Sequence, residues 1–546
     1  MMVAQRQPDR GANPKPRVRT WRPKSTTGCL TCKIRRVKCD EAKPSCNRCS
    51  STGRKCDGYA SPPQPASFPM ATSPVTSVSP SHPLSCGRFA SKEEGESFDF
   101  FMKYAVRDLC GFFNSPFWQR ELLQATHYHP AIRHGVIAVG AMHRRYASGE
   151  DCAAADKVSD KQLTFALEQT NKAIQELTKS PEAASVTETQ LKTIMTCCIL
   201  FSTLACLHCE QQEALNHIRC GLKLMKELIG MVMCLEDPFA SLYSHPVTLK
   251  SLRQTFLGLN VQALSMMSST DLAHWEIIPA YFLENCPTFL TPWVSLECTQ
   301  HYFESLLSNV LAFIQGTMEL PSADSLETTD ENVSEFVFAQ LQQRFHTGIA
   351  RLHRTFPDVY SRTADADAIS VRLICAQVEL FLMMTSPEGV RGDRFDDEGP
   401  FEVLMDLVVR LEELRVRHQE FAGGGFPRPV YSSTHGPSYT LFLVATRAPT
   451  LQLRKKAIGI LLKNPRRDGL WDGPWAGMIA QEAMTLEENA ARKVLGSEAV
   501  EQQIPSQFRI REIRFSYPGP KKVTVEFWNE RAIERGERGW IKHFTK

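Results

Sequence analysis

Six cysteines between residues 29 and 56 carry the densest chemistry in this sequence. Cys29, Cys32, Cys39, Cys46, Cys49 and Cys56 follow C-x2-C-x6-C-x6-C-x2-C-x6-C, so one half-motif, C-x2-C-x6-C, is written twice. A C-x2-C pair lets two thiolates reach one tetrahedral ion across a tight turn, and a third cysteine seven residues on returns after about two helical turns. Structural zinc takes four ligands, so two zinc ions need eight thiolate contacts from the six cysteines present. Two cysteines must then bridge, and the symmetric choice is the first of each half, Cys29 and Cys46. A single four-cysteine site with two spare thiols, or redox-active C-x2-C pairs, are the other chemistries these residues allow. Neither accounts for the third cysteine recurring at the same spacing.

The residues between the cysteines break the symmetry. Lys33, Ile34, Arg35, Arg36, Val37 and Lys38 place four cations in six positions, whereas the second half has Ser50, Ser51, Thr52, Gly53, Arg54 and Lys55. A short helix in the first half can enter the major groove of double-stranded DNA. There an Arg can make a bidentate contact to guanine O6 and N7, with flanking Lys and Arg on phosphate.

On these residues the segment resembles the DNA-binding domain of the fungal Zn(2)-C6 binuclear-cluster transcription factors. Gly28-Cys-Leu-Thr-Cys-Lys-Ile-Arg-Arg-Val-Lys-Cys39, Lys43-Pro-Ser-Cys46 and Asn47-Arg-Cys49 carry the motif. The resemblance implies a nuclear regulator of RNA polymerase II transcription that binds two zinc ions and reads CGG-like triplets. It makes Cys29 and Cys46 the bridging ligands and Arg36 the main base contact, with Arg35 and Lys38 assisting, the latter on phosphate. Pro44 matches a family proline in the loop joining the halves, often with a cis bond. Many family members follow the cluster with a heptad-repeat dimerisation helix. Residues 57 to 95 contain no heptads and are rich in proline, so no coiled coil is expected and a homodimer stays open.

These residues must be held by a small domain at 25–60. A basic arm precedes it at 1–24, ending in Lys15-Pro-Arg-Val-Arg-Thr-Trp-Arg-Pro-Lys24, which suits a nuclear-import signal or a phosphate-contacting arm. A Pro/Ser-rich linker follows at 61–95, flexible in composition and without helical periodicity. A body at 96–546 follows, and from 97 to about 494 its apolar residues recur every 3.6 positions: Leu163, Ala166, Leu167, Thr170, Ile174 and Leu177 share one face, as do Leu215, Ile218, Leu222, Met225 and Ile229. Further helices are expected around 97–113, 130–147, 186–209, 247–268, 331–354, 366–385, 401–419, 437–461 and 476–494. Ile513, Phe515 and Tyr517, then Pro518-Gly-Pro520, then Val523, Val525 and Phe527 read as a terminal β-hairpin. The fold class is therefore mainly α: a two-zinc cluster domain, a linker, and a large helical domain with a short C-terminal hairpin.

The helical body also carries a resemblance. Phe101-Met-Lys-Tyr104, Asn114-Ser-Pro-Phe-Trp118 and His134-Gly-Val-Ile-Ala-Val-Gly-Ala-Met-His143 are similar to the regulatory domain that accompanies this cluster in a subset of the family. That implies a domain that modulates output and brings no catalytic residues. No catalytic constellation is visible: Gly423-Gly-Gly425 lacks the lysine and strand-to-helix context of a phosphate loop. Cys197, Cys198, Cys206, Cys209 and Cys220 with His217 superficially suggest a second metal site, but on apolar helices ordinary core cysteines are expected. An enzyme is not expected.

The charge balance agrees. Residues 1–58 hold fifteen Lys plus Arg against Asp9, Asp40, Glu41 and Asp57, a net +11, while the whole chain carries +3. A basic head on an acidic body suggests that one end meets a polyanion. No apolar stretch follows Met1-Met-Val-Ala-Gln-Arg6, so reduced cysteines are expected. The nearly uncharged run Ile194 to Leu207 is shorter than the ~20 residues of a membrane span and reads as a buried helix. Acidic stretches with aromatics, Asp324 to Phe338 and Asp393 to Phe401, offer either solvated loops or contacts for co-activators. The competing reading is a helical interaction scaffold or co-regulator whose cluster binds nucleic acid non-specifically; a large specific-to-nonspecific affinity ratio separates the two.

Overall fold

The computed structural model describes residues 28–35, 37–58, 89–113, 115–149, 160–179, 187–233, 245–267, 275, 293–318, 329–385, 397–421, 428–496 and 503–545. The basic arm, residues 59–60 of the expected cluster domain, residues 61–88 of the expected linker, Gly423–Gly425 and the first parts of both acidic stretches lie outside them, while residues 92–95 of the expected linker belong instead to the helix Lys92–Phe100. The chain divides into two compact units, Met1–His82 and Pro83–Lys546. In the first unit the described residues form two short helices, α1 (Leu30–Ile34) and α2 (Asn47–Ser50).

The second unit is mainly helical, and polar caps start its helices where the sequence supplies them. Ser91 caps α3 (Lys92–Phe100), which runs through a π-helical turn, Phe101–Ala105, into α4 (Val106–Cys110). A second π-turn, Phe117–Glu121, leads into α5 (Leu122–Tyr128), and α6 (Pro130–Ala147) opens with proline where its missing N–H costs nothing. Asp160 caps α7 (Lys161–Thr178) and also pairs with Arg145 of α6. Thr187 and Gln190 form a reciprocal capping box at the start of α8 (Glu188–His208). Cys209, in the left-handed region at φ 62°, ends α8 and turns the chain into α9 (Gln211–Met233). Thr248 caps α10 (Leu249–Leu264), and its own N–H donates to the buried Glu121 carboxylate at 3.0 Å.

Four more helices follow: α11 (Leu296–Met318), α12 (Thr329–Thr355), α13 (Ala366–Thr385) and α14 (Gly399–Phe421). The expected helix over 437–461 is two, α15 (Pro437–Arg447) and α16 (Leu451–Lys463). Pro449 causes the break, because it drives Ala448 into an extended conformation, ψ 145°. The last long helix, α17 (Gly473–Leu495), is capped by Asp472. α8 and α13 are long and apolar enough to cross a membrane by length and composition, yet 78% and 67% of their apolar windows are buried inside the unit. Close packing is tightest where glycine permits it. A Cβ on Gly140 of α6 would lie 2.2 Å from the Ser97 carbonyl oxygen of α3.

A small sheet that periodicity does not reveal sits within the helices. β1 (Val430–Ser432) runs parallel to β2 (Arg466–Asp468), which pairs antiparallel with β3 (Trp471–Asp472). Its charges are buried and paired: Arg466 with Asp468 at 2.8 Å, Arg467 with Asp472 at 2.6 Å. Arg467 also donates to the Leu207 carbonyl of α8 at 3.0 Å and lies 4.5 Å over the Tyr146 ring of α6.

The expected terminal hairpin is present and gains a third strand. β4 (Ile510–Gly519) and β5 (Lys522–Asn529) pair antiparallel with Phe515 opposite Val525. After α18 (Glu530–Arg535), β6 (Trp540–Thr545) adds to β5. Val523, Val525 and Phe527 all face inward at period two. Buried charges fasten this sheet to the helices. Arg447 donates to the carbonyls of Ile510 and Arg511 at 2.6 Å, and Glu487 accepts the Ile510 N–H at 2.7 Å. Glu487 itself is fully buried and pairs with the equally buried Arg454 at 2.5 Å. Replacing Glu487 with Leu should therefore lower the unfolding free energy in urea by ~3–5 kcal/mol, since the Arg454 charge stays buried without its partner; the double change with Arg454→Met should recover much of that loss.

A second prediction concerns pH. His301 of α11 lies between Glu297, 3.6 Å from Nε2, and Glu304, 3.4 Å from Nδ1. Burial alone would lower its pKa, but the two carboxylates outweigh it and raise the imidazole to about 9. A folded value above the unfolded ~6.5 means the triad's stabilisation is full below pH ~6.5 and is lost as pH rises through about 9. Thermal midpoints measured from pH 6.5 to 9.5 should fall more steeply for the native chain than for His301→Gln.

Candidate metal centre and nucleic-acid interface

The two halves of the cysteine cluster fold alike, bond for bond. Cys29 precedes α1 and its sulfur accepts the Cys32 N–H at 3.4 Å; Cys46 precedes α2 and accepts the Cys49 N–H at 3.3 Å. The Cys29 N–H donates to Cys39 Sγ at 3.4 Å, and the Cys46 N–H to Cys56 Sγ at 3.5 Å. Val37 N–H bonds the Cys32 carbonyl at 3.1 Å and Arg54 N–H the Cys49 carbonyl at 3.0 Å. Repetition of the sequence thus becomes repetition of the backbone. The Lys43–Pro44 bond in the joining loop is cis.

The sulfurs converge as two overlapping quartets. Cys29, Cys32, Cys39 and Cys46 form one, Cys29, Cys46, Cys49 and Cys56 the other, each with its sulfurs within 4.8 Å of one another. Cys29 and Cys46 belong to both and stand 3.5 Å apart. A tetrahedral ion with Zn–S of ~2.3 Å sets neighbouring sulfurs ~3.8 Å apart. Cys32 to Cys46 at 3.7 Å and Cys29 to Cys49 at 3.9 Å match that spacing. The donor set therefore fits two zinc ions. Burial pushes the Cys29 thiol up to about 12 and raises Cys32 and Cys46 as well, while the Cys46 N–H lowers Cys56. Thiols buried against each other resist ionisation until a dication compensates the charge. Among the described residues these quartets are the only groups of three or more potential ligands so gathered. Cys197, Cys198, Cys206 and Cys209 are buried in the helical core, as expected, whereas Cys220 is exposed on α9.

Two aspartates tie each half to the other. Asp40, directly after Cys39, accepts the N–H groups of Asn47 and Arg48 at 2.9 and 3.1 Å, at the start of α2. The Arg48 N–H is the main reason its carboxyl sits below the usual range. Asp57, directly after Cys56, accepts the Thr31 hydroxyl of α1 at 2.8 Å, and its own N–H donates back to that hydroxyl at 3.0 Å. Sequence reasoning missed both, although an aspartate after the third cysteine of each half repeats along with the motif.

Of the cationic residues, Lys33 and Lys38 are exposed, and Arg35 is half-buried with one guanidinium N–H directed to the Thr52 hydroxyl at 3.4 Å. Arg36 lies outside the described residues. Ile34, not singled out from sequence, is 80% exposed on α1. An apolar side chain so presented beside cations suits contact with a thymine methyl.

Comparison with known proteins places both units. Residues 27–66 match the fungal Zn(2)-Cys(6) binuclear cluster domain, and residues 96–308 match the fungal specific transcription factor domain. The chain is 25% identical over 582 aligned positions to the aspercryptin biosynthesis cluster-specific transcription regulator atnN of Emericella nidulans, covering 89% of this chain and 91% of that protein. It is 27% identical over 218 positions to the transcription regulator lscL of Purpureocillium lilacinum, covering 36% and 48%. Against the transcriptional regulatory protein moc3 of Schizosaccharomyces pombe it is 49% identical over 47 positions, 9% of each chain. No solved structure matches.

The shared-sulfur geometry sets a stoichiometry. Metal analysis of the purified chain should return two zinc ions, and Cys46→Ser, which removes a member of both quartets, should cost more than one. A wild-type value of one zinc per chain would eliminate sulfur sharing.

Proposed function

We propose that this chain, which belongs to the fungal Zn(2)-Cys(6) binuclear-cluster transcription regulators, reads guanine-containing triplets of the CGG kind with α1 and the residues just after it. It is a zinc-dependent, sequence-specific DNA-binding regulator of transcription. The observation that carries the finer reading is the pair of cysteine quartets sharing Cys29 and Cys46 beneath a cation-bearing α1.

Cys29, Cys32, Cys39, Cys46, Cys49 and Cys56 would hold the two ions, with Cys29 and Cys46 common to both. Zinc supplies the charge that keeps six thiolates together and the cross-links that a domain this small needs. With two dications against six thiolates, a head of net +11 becomes +9, still strongly attractive to phosphate. Arg36 is assigned the guanine edge, Arg35 assists it, and Lys33 and Lys38 bind phosphate. Thr52 steers Arg35 from the second half, which couples that half to recognition. The site of action is the nucleus, for which the basic arm is a suitable import signal. The acidic stretch Asp324 to Phe338, whose described part opens α12 and exposes Phe336, is assigned a co-activator contact.

Two substitutions separate reading from holding. Arg36→Ala should cost ~1–3 kcal/mol on the preferred site and flatten the preference between sites. Lys38→Ala should weaken all duplexes alike and lower the salt slope by about one. Titrations of both variants against the selected site and random DNA at several salt concentrations test the assignment. Equal weakening of specific and random DNA by Arg36→Ala transfers the base contact to Arg35.

A further inference from the structure

Between α9, the end of α10 and strand β4 lies an open cavity of about 400 Å³, within the ~300–1,000 Å³ range of small-molecule sites. One side is apolar: Met266, Trp275, Phe515 and Tyr517 contribute to it. These walls are held from behind. The Trp275 indole N–H donates to Asn260 Oδ1 at 2.7 Å, Phe515 packs 6.1 Å from the Trp471 ring, and the Tyr517 hydroxyl reaches Met266 Sδ at 4.0 Å.

α9 contributes Gln212, Leu215, Asn216 and the exposed Arg219, with Asn216 and Arg219 one turn apart. Among the described residues Arg219 is the one charged side chain lining the cavity. Its guanidinium donates to Asn216 Oδ1 at 3.2 Å and makes no ion pair among the described residues. A planar fork of N–H donors at the rim of an aromatic and thioether pocket favours one kind of occupant: an apolar, flat body ending in a carboxylate.

We propose that this cavity binds a small aromatic or other apolar carboxylic acid, its carboxylate on Arg219 and its body between Met266, Trp275 and Phe515. The site joins two parts of the unit. α9 and α10 fall inside the matched transcription factor domain at 96–308, whereas β4 lies beyond it. An occupant would therefore bridge the helices and the C-terminal sheet, so its binding free energy would favour the closed seam over any arrangement that separates them.

The test uses the full-length, zinc-loaded chain and three probes of one shape: naphthoate, naphthamide and naphthylmethylammonium, followed by calorimetric titration and ligand-observed NMR. Naphthoate should bind at one per chain, and at least about tenfold more tightly than the ammonium. Arg219→Gln should weaken naphthoate by at least about tenfold and leave naphthamide unchanged. Asn216→Asp, which sets a carboxylate beside the guanidinium, should do the same and remains decisive if Arg219→Gln fails to fold. Circular dichroism and zinc content identify properly folded variants. Undetectable naphthoate binding at millimolar concentration, equal binding of acid and ammonium, or indifference to both substitutions overturns the proposal.

Discussion

The DNA-reading head has almost nothing inside it except sulfur. Its buried cluster consists of Cys29, Cys32, Cys39, Cys46 and Cys49, with only Val37 and Cys56 packed against them. A segment this short cannot bury enough apolar surface to offset its chain entropy, so the thiolates must be gathered by something stronger than the hydrophobic effect. Structural zinc supplies on the order of 10–16 kcal/mol per ion in small domains. The placement of α1 depends on it. At five residues α1 is too short to persist alone, and it is held by the Cys29 cap at one end and by the Asp57–Thr31 clasp from the other half.

The same dependence explains why the head was legible in sequence and parts of the body were not. Metal ligation is a local code: residue type and spacing state the geometry, and the quartets sharing Cys29 and Cys46 follow from counting ligands. A helix with a clean apolar stripe, such as α9 with Ile218, Leu222, Met225 and Ile229 all buried, was equally readable, whereas in α7 the expected stripe leaves Leu167 and Ile174 exposed. α11 was not readable, because Gln300, Glu304, Ser305 and Ser308 are buried beside Phe303, Leu306 and Leu307, so its periodicity is blurred. The small sheet was not readable either, because in Arg466-Arg-Asp-Gly-Leu-Trp-Asp472 the charged residues leave no apolar alternation. In the structure Arg466 reaches Glu412, Asp468 accepts from Ser438, and Arg467 pairs with Asp472 across the small sheet and donates to the Leu207 carbonyl, partners that no local pattern records. The break at Ala448 is different: Pro449 announced it, and the periodic stripe on either side masked it.

Buried charge recurs as the means by which the helical unit closes. Arg447, Arg454, Arg509 and Glu487 sit together where the terminal sheet meets α15, α16 and α17. Burial pulls Arg447 and Arg509 down to about 10, which still leaves both charged at neutral pH. Backbone carbonyls of Ala448, Ile510 and Arg511 satisfy those charges, so the fit demands a specific chain path rather than mere apolar contact.

That seam is unequal along its length, and the inequality bears on regulation. At the Arg447 end, charge-assisted hydrogen bonds of 2.5–2.7 Å lock strand to helix. At the other end the Lys521 N–H, in the turn after β4, donates to the Cys209 carbonyl at 3.1 Å and the Tyr517 hydroxyl reaches the Met266 thioether at 4.0 Å, with the cavity opening beside them. A thioether is a weak acceptor and imposes little geometry. A ligand seated in the cavity would add its own contacts beside that end of the sheet, and it would shift a balance between two arrangements only as far as it binds one better than the other.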